Sequence, residues 1–431
     1  MLPIIRADSP HPTPTPLRIA IIGGGIGGLY CALSLHHHCG SRASMTVYER
    51  AAEFKEIGAG VGLGINAAKL IHAVGLGEKL NAVGGRRNGV WISFRRYDDS
   101  GEIVTVRVDD KGFVRQCPVA RSDLLDLMKG AVEERDAARL LTGKRFVEVE
   151  EEGEGVKVRF EDGTVDEADV VIGADGIHSN VRAHFARDEP IYSGRVAYRA
   201  TVPTSDLEGW WPFETYSILW SGKRRHFLVF PISANKTLNI VAFTNTKAED
   251  ARDVAESWVS TCERKEVEEA YEGFDEVVQK LIKLMPEEPS RWKINDRAPL
   301  GKWHYMGGNV VLLGDAAHAM LPHMGAGAGQ ALEDGWILGR ALGERVNGTD
   351  KSQLQDLESC AAFYQKVRLP RAQKVQEKSR DTGNAYDMYT EQMRDKDFEE
   401  CIPLMAEKMS SQMKFVWEAE LDQIYDQAKQ Q

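Results

Sequence analysis

The feature that most constrains this chain is a glycine cluster between an apolar segment and a helical one. Residues 17–22 form a short apolar run typical of a buried strand, and residues 45–49, beyond the helical segment, form a second. The spacing Gly23-x-Gly25-x-x-Gly28 joins the first strand to the helix. Gly23 permits a tight turn, Gly25 lets the backbone approach a pyrophosphate, and Gly28 lets helix and strand pack closely. This pattern predicts a βαβ unit that binds a nucleotide.

A carboxylate supports this interpretation. Glu49 ends the second strand, 21 residues after Gly28, where an acidic side chain can bind a ribose diol. The helix N-terminus would supply free N–H groups and partial positive charge to the phosphates. The motif alone does not choose between FAD and NAD.

Composition excludes several classes of protein. The chain has 431 residues, which suggests two or three structural units. Its net charge of -11 argues against a nucleic-acid partner, and no apolar run approaches the ~20 residues that span a bilayer. Six scattered cysteines without a CxxC pair predict neither a zinc site nor disulfides, and they favour a cytoplasmic location. The adjacent His36, His37 and His38 would not face one another on a helix, so we expect no metal site.

The order of the segments predicts an α/β fold with a Rossmann-like domain assembled from discontinuous stretches. Residues 169–172 and 309–313 are later buried strands, and each runs directly into a Gly/Asp turn. We therefore assign residues 17–190 and 290–365 to the nucleotide-binding domain.

The remaining stretches predict three further units. Residues 191–289 contain short aromatic and β-branched segments, typical of an antiparallel sheet that would form the substrate-binding domain. Residues 366–431 are charged with helical periodicity and predict a C-terminal helical region, with Pro370 marking a helix boundary. Residues 1–16 are rich in proline and predict a mobile lead.

A second motif, Gly173-Ala174-Asp175-Gly176, is followed by Ser179 and Arg182. By itself this pattern favours a strand-ending turn whose aspartate caps the next helix.

A third motif begins at Gly314-Asp315 and continues to a glycine run over residues 325–329. Asp315 would lie at the carboxyl edge of the sheet, where it can accept hydrogen bonds from a polyol chain such as the ribityl of a flavin. The glycine run opens a helix whose N–H groups can face a flavin pyrimidine ring.

Together these motifs resemble the class A flavoprotein monooxygenases. The residues that carry the resemblance are GxGxxG with Glu49-Arg50, GADG with Ser179 and Arg182, and GDAAH-x3-P-x2-GxG from Gly314. The resemblance spans about residues 17–371. Three stretches are most similar to the branch of the family that hydroxylates salicylate: residues 56–61, 321–330 and 417–422.

The resemblance implies an enzyme with one FAD per chain, so the Rossmann-like domain is an FAD-binding domain. NADH or NADPH is the implied co-substrate, and a small aromatic compound and dioxygen are the implied substrates. A flavin C4a-hydroperoxide would transfer oxygen to an electron-rich ring, and salicylate would then lose carbon dioxide to give a catechol. Two alternative functions stay open: a hydroxylase that dearomatises a phenolic secondary metabolite, and a non-catalytic FAD-binding protein. The oligomeric state stays open as well, with a homodimer as one alternative.

The resemblance also implies roles for individual residues. It puts Glu49 and Arg50 at the adenosine, Arg121 at the FAD linker, Asp315 at the ribityl chain, and Gly327 and Ala328 at the flavin ring. It puts Asp175 in a motif shared by FAD and NAD(P)H, and it adds Gly60 and Val61 to the cofactor contacts.

His323 is the predicted catalytic residue. It lies between Pro322 and the glycine run, two residues before Gly325, so it should be near the reactive edge of the flavin. A neutral imidazole can accept a phenol proton at neutral pH, and a phenolate is the better nucleophile. The alternative is a loop histidine that hydrogen-bonds the backbone.

Three residues of the antiparallel segments are weaker candidates for substrate contacts. His226 would share a strand face with Leu228 and Phe230, and its alternative is a position at the rim. Tyr216 and Trp220 could line the same pocket, with core packing as their alternative role.

Overall fold

The structure is a computed structural model that describes residues 15–54, 60–86, 88–256, 260–348 and 354–431. Two earlier predictions fall in part outside the described residues. They are the mobile lead, for residues 1–14, and the stretch of family resemblance at residues 56–59.

The strands follow the chain in this order: β1 (Leu17–Ile22), β2 (Ala43–Tyr48), β3 (Gly60–Leu63), β4 (Val90–Arg96), β5 (Glu102–Arg107), β6 (Cys117–Ala120), β7 (Arg139–Leu141), β8 (Phe146–Glu152), β9 (Gly155–Phe160), β10 (Val165–Ala168), β11 (Val170–Gly173), β12 (Ile191–Pro203), β13 (Ile218–Gly222), β14 (Arg225–Ile232), β15 (Thr237–Asn245), β16 (Ser290–Asp296), β17 (His304–Tyr305) and β18 (Val310–Leu312).

The helices are α1 (Ile26–Cys39), α2 (Ile65–Ala73), α3 (Gly77–Val83), α4 (Arg121–Glu134), α5 (Asn180–Phe185), α6 (Arg264–Ala270), α7 (Glu276–Leu284), α8 (Asp315–His318), α9 (Gly327–Val346), α10 (Leu357–Tyr386), α11 (Phe398–Met409), α12 (Lys414–Trp417) and α13 (Leu421–Lys429). Short 3-10 turns lie at Gly40–Arg42, Thr204–Leu207, Met306–Gly308 and Pro322–Met324.

The first large sheet contains the predicted βαβ unit. In the described part of the chain it has six strands in the order β17-β18-β11-β1-β2-β7, and these pair in parallel except for β17 with β18. The central strands are almost wholly buried, as expected of a parallel sheet covered by helices. Strands β1, β11 and β18 are neighbours, so the turns that carry all three motifs meet at one edge.

The second large sheet is mainly antiparallel, and its described strands run in the order β16-β12-β15-β14-β13-β4-β5. The predicted domain boundaries assign β4, β5 and β16 to the FAD-binding domain, whereas the structure pairs these strands in the second sheet. The long strand β12, which the sequence did not predict, pairs with both β15 and β16. The sheet that a strand joins therefore depends on pairing partners from distant parts of the chain. The position of the strand along the chain does not reveal those partners.

Pro370 lies inside α10, so the predicted helix boundary there is wrong. Proline removes a backbone hydrogen bond and costs ~3 kcal/mol in a helix interior. Tertiary contacts hold the helix on both sides of the proline. The buried Arg368 forms ion pairs with Glu333 at 2.5 Å and Asp334 at 2.8 Å, and Arg371 forms one with Glu333 at 2.7 Å. The predicted start of the C-terminal helical region therefore falls within one continuous helix.

Helix α13 packs on α9 and α10, whereas helices α11 and α12 pack on the second sheet beside β4. Met405, Met409 and Met413 are buried there beside Trp91 and Phe94. Within the described residues, no helix combines the length and apolar character needed to cross a membrane. Those residues also contain no cluster of three His, Cys, Asp or Glu side chains arranged to hold a metal ion.

Candidate functional site

One large cavity lies at the edge of the first sheet where the three motif turns meet, and it extends to the second sheet. Its volume is about 1070 Å³, at the upper limit of typical ligand pockets, so a dinucleotide and a small second molecule can share it. Eleven predicted cofactor residues line it: Gly23, Gly25, Glu49, Arg50, Gly60, Val61, Arg121, Asp175, Asp315, Gly327 and Ala328. Gly28 is not among the described residues that line this cavity.

The glycine turn has the shape of a phosphate-binding loop. Gly23 has a φ of +111°, and a Cβ there would meet the Ala174 carbonyl oxygen at 2.4 Å. A Cβ on Gly28 would lie 2.0 Å from the Gly23 carbonyl oxygen. A Cβ on Gly25 would meet no described atom within 4 Å, so this position faces open space in the cavity. Two of the glycines are thus required by packing, and the third leaves room for a pyrophosphate at the start of α1.

Glu49 is fixed beside this turn. Its Oε2 accepts a hydrogen bond from the Gly24 amide at 2.8 Å, and its Oε1 accepts one from the Ala51 amide at 2.8 Å. Each carboxylate oxygen has a second lone pair, so the side chain can still accept from a ligand hydroxyl. Arg50 follows directly and also lines the cavity.

Two other predicted cofactor regions meet through a small sheet. Strand β3 pairs with β6, with Gly60 opposite Ala120 and Val61 opposite Val119, and Arg121 at the start of α4 directly follows Ala120. The Gly60 amide donates to the Asn239 side chain at 3.2 Å. This hydrogen bond connects the small sheet of β3 and β6 to strand β15 of the second large sheet.

Asp175 lines the cavity and also caps α5. Its carboxylate accepts hydrogen bonds from the Ser179 hydroxyl at 2.5 Å and from the Asn180 amide at 2.7 Å. Burial raises the pKa of Asp175 and outweighs these hydrogen bonds, which act to lower it. The capping role that the residues alone favoured is therefore present, and a cofactor contact stays a prediction.

Arg182 joins the second motif to the third. Its buried guanidinium donates to the carbonyl oxygens of Ala316 and Ala317 at 3.1 and 3.2 Å and pairs with Asp188. These contacts hold α5 against α8, whose first residue is Asp315. Asp315 is exposed in the cavity, at the carboxyl edge of the sheet, as expected.

The glycine run opens α9 at Gly327. The first N–H groups of a helix have no partner within the helix, so this end can donate to a ligand in the cavity. Gly327 and Ala328 both line the cavity at that point.

His323 lies in the 3-10 turn directly before this loop. The residue is 6% exposed, and neither ring nitrogen has a hydrogen-bond partner within the described chain. Burial lowers the pKa of His323 well below its ordinary value, and the positive charge of Arg195 adds to the effect. The side chain is therefore a neutral imidazole at physiological pH.

His226 lies beside it, with the two ring centroids 5.5 Å apart. Its Nδ1 is 2.7 Å from the Asp387 carboxylate, and its Nε2 is buried with no partner in the described residues. Leu228 and Phe230 line the cavity with it, as the strand alternation predicts.

The sequence analysis did not identify the residues that hold His226. The Asp387 carboxylate also accepts from Arg195 Nε at 2.8 Å and from the Asn245 side chain at 3.0 Å. His226 and Asp387 are 161 residues apart, and no motif surrounds either of them. Only the packing of α10 on the second sheet brings them together.

The structure does not bring Tyr216 and Trp220 to the described lining of the cavity. Trp220 pairs with Phe227 across β13 and β14, so it lies on the sheet face opposite to His226. It is fully buried, and its Nε1 donates to the Ser100 hydroxyl at 2.8 Å. Tyr216 packs in the same aromatic cluster, so the core-packing alternative applies to both residues.

The parallel sheet, its glycine turn and the cavity define a dinucleotide-binding protein. The family model for the FAD binding domain matches residues 17–379, and the chain belongs to this family.

Relatives extend the match along almost the whole chain. Salicylate hydroxylase of Pseudomonas putida is 34% identical over 427 residues, which cover 94% of this chain and 93% of that protein. The 6-hydroxynicotinate 3-monooxygenase of Bordetella bronchiseptica is 34% identical, with 84% and 91% covered. The solved structure of a salicylate hydroxylase substrate complex superposes with a TM-score of 0.82 at 29% identity, covering 96% of this chain and 98% of that one.

These comparisons confirm the predicted family, the mixed α/β fold and FAD as the cofactor. The chain is an FAD-dependent aromatic monooxygenase.

Proposed function

We propose that this enzyme hydroxylates a small phenolic acid of the salicylate type with NADH or NADPH and dioxygen. The observation that carries the proposal is one continuous cavity, lined by Gly25 of the glycine turn and by the two imidazoles His226 and His323. The names of the relatives support the substrate class: salicylate, 6-hydroxynicotinate, 6-methylsalicylate and 3-hydroxybenzoate are all aromatic acids with a ring hydroxyl.

In this proposal FAD is held by the predicted cofactor residues that line the cavity. Glu49 and Arg50 contact the adenosine, Arg121 the linker, Asp315 the ribityl chain, and the start of α9 the flavin ring. Gly60, Val61 and Asp175 complete the contacts. Bound FAD, once reduced, supplies the chemistry that activates dioxygen.

The substrate would lie between the flavin ring and the second sheet. Leu228 and Phe230 present apolar surface that packs against an aromatic ring and excludes water. His323 contacts the ring hydroxyl. Because this imidazole is uncharged, it holds the hydroxyl by hydrogen bonding and adds no charge to the substrate site. With salicylate, oxygen would enter at the carboxylate-bearing carbon and carbon dioxide would leave.

The test is a panel of phenols, including salicylate, with two readouts. We expect NADH or NADPH consumption to rise when the right phenol is added, and mass spectrometry to detect a catechol or a ring-hydroxylated acid. A product that retains the carboxylate and has lost aromaticity would favour the dearomatising alternative. Consumption that no phenol in the panel changes would contradict the proposal.

Glu49→Ala is expected to weaken FAD binding about tenfold without changing which phenols are hydroxylated. The variant loses an acceptor for a ribose hydroxyl, worth ~1.5 kcal/mol, at the end of the cofactor far from the chemistry. Titration of the apoprotein with FAD measures the affinity, and Glu78→Ala, an exposed position on α3, is the control. An altered product pattern with intact FAD affinity would show that Glu49 does not contact the adenosine.

Homodimer formation and a cytoplasmic location stay predictions as well. Sedimentation of the purified holoenzyme would decide the first, and cell fractionation the second.

A further inference from the structure

The last turn of α10 contacts both imidazoles of the cavity. Glycine inside a helix costs ~1 kcal/mol relative to alanine, so the presence of Gly383 within α10 requires an explanation. A Cβ there would meet three ring atoms of His323 at 2.7, 2.8 and 2.9 Å. The missing side chain therefore makes room for the His323 ring, which packs against the helix at this point.

Asp387 follows one turn later and is fully buried. Burial acts to raise its pKa, but His226 and Arg195 outweigh this, so the pKa lies below its ordinary value and the carboxyl group is ionised. An ionised carboxylate only accepts hydrogen bonds, so the His226 nitrogen that faces it, Nδ1, carries the proton. The other nitrogen, Nε2, is then left with a free lone pair.

The two imidazoles differ in how well they can accommodate a positive charge. His323 has no carboxylate partner among the described residues, and Arg195 opposes its protonation. His226 has the Asp387 carboxylate at 2.7 Å, which would stabilise the imidazolium. His226 therefore has an unpartnered nitrogen in the cavity with a carboxylate behind its other nitrogen, whereas His323 has no carboxylate partner among the described residues.

We propose that His226 accepts the phenolic proton of the substrate and that Asp387, held by Arg195, is the positioning residue that makes this acceptance feasible. The O–H bond of the phenol breaks, an Nε2–H bond forms on His226, and the electron pair stays on the phenolate oxygen. His323 then orients the hydroxyl as a neutral imidazole. This inference rests on the proposed phenolic substrate and assigns the proton to a residue other than the one that the sequence favoured.

Nitrogen-15 NMR of histidine-labelled holoenzyme tests the positioning without any substrate. We expect His226 to be protonated on Nδ1. His318 provides an internal reference of opposite tautomer, because its Nε2 faces Asp334 at 2.6 Å. A His226 protonated on Nε2 in the unaltered protein would overturn the proposal. Because the measurement uses the unaltered protein, it does not depend on whether a variant folds.

Asp387→Asn tests the consequence for catalysis. Arg195 and Asn245 donate to Oδ2, so the amide oxygen would take that side and the amide NH2 would face His226. This arrangement favours the Nε2–H tautomer, which cannot accept a proton from the substrate. We expect the variant to retain FAD and NADH oxidation while product formation falls ~100- to 10,000-fold.

The ionisation of a bound probe separates the two histidines. The phenolate of 5-nitrosalicylate absorbs at longer wavelength than its phenol, so the bound fraction that is ionised can be read directly. We expect it to be ionised in the unaltered enzyme and in His323→Gln, and protonated in Asp387→Asn. An Asp387→Asn enzyme that still ionises the probe would refute the role of Asp387. An unaltered enzyme that hydroxylates no phenol would instead refute the proposed function, while the tautomer would still test the positioning.

Discussion

Replacement of His323 by alanine is expected to leave a yellow enzyme that oxidises NADH but releases hydrogen peroxide in place of most of its product. FAD binding and flavin reduction do not need this imidazole. The substrate hydroxyl, however, loses its contact, and a void opens beside His226. Because a misplacement of about 1 Å can cost ~100-fold in rate, we expect hydroxylated product per NADH to fall by roughly that factor. Product and peroxide yields at a fixed NADH consumption measure the effect.

The matched control is Tyr216→Phe, which removes a hydroxyl in the aromatic cluster on the other face of the second sheet. It should leave product per NADH unchanged. If His323→Ala also leaves it unchanged, His323 is a structural residue of the loop, and His226 would have to bind the hydroxyl alone.

Replacement of Asp315 by alanine is expected to weaken FAD binding roughly 10- to 150-fold. A hydrogen bond to a charged acceptor contributes ~1.5–3 kcal/mol, and in this variant the ribityl hydroxyls would lose that acceptor at the carboxyl edge of the first sheet. We expect the protein to fold, because Asp315 is exposed at the start of α8 and Arg182 still holds this helix through backbone carbonyls. Titration of the apoprotein with FAD gives the ratio of affinities.

The control for this prediction is Asp126→Ala, an exposed aspartate on α4 outside the described lining of the cavity. It removes the same charge and should not change FAD affinity. Equal affinities for Asp315→Ala and the unaltered protein would remove Asp315 from the ribityl site.

The sequence by itself determined the parts of this protein that depend on neighbouring residues. The glycine turn is the clearest case, because the clash that requires Gly28 is with Gly23, five residues away, and the φ of +111° is a property of one residue. The buried strands that precede each motif turn were likewise predicted from short apolar runs. Parallel strands end at a common edge, so the meeting of these turns followed from the strands themselves.

Tertiary structure alone decided how distant segments pair. Trp220 lies away from the cavity because the register of β13 on β14 puts it opposite Phe227, and no local pattern specifies that register. Tyr216, which precedes β13, packs in the same aromatic cluster. Pro370 stays within a helix whose flanking residues, Arg368 and Arg371, are held by ion pairs to the distant Glu333 and Asp334.

The same reason applies to the site itself. The carboxylate that fixes His226 comes from Asp387, 161 residues further along the chain, and each residue is unremarkable in its own segment. Asp387 and His226 meet because α10 packs on the second sheet and excludes water from both side chains. Burial then keeps the Asp387 carboxylate paired with Arg195, and it sets the tautomer of His226, whose Nδ1 faces that carboxylate. Periodicity and motif spacing describe neighbours along the chain, whereas burial is set by the elements that fold over them.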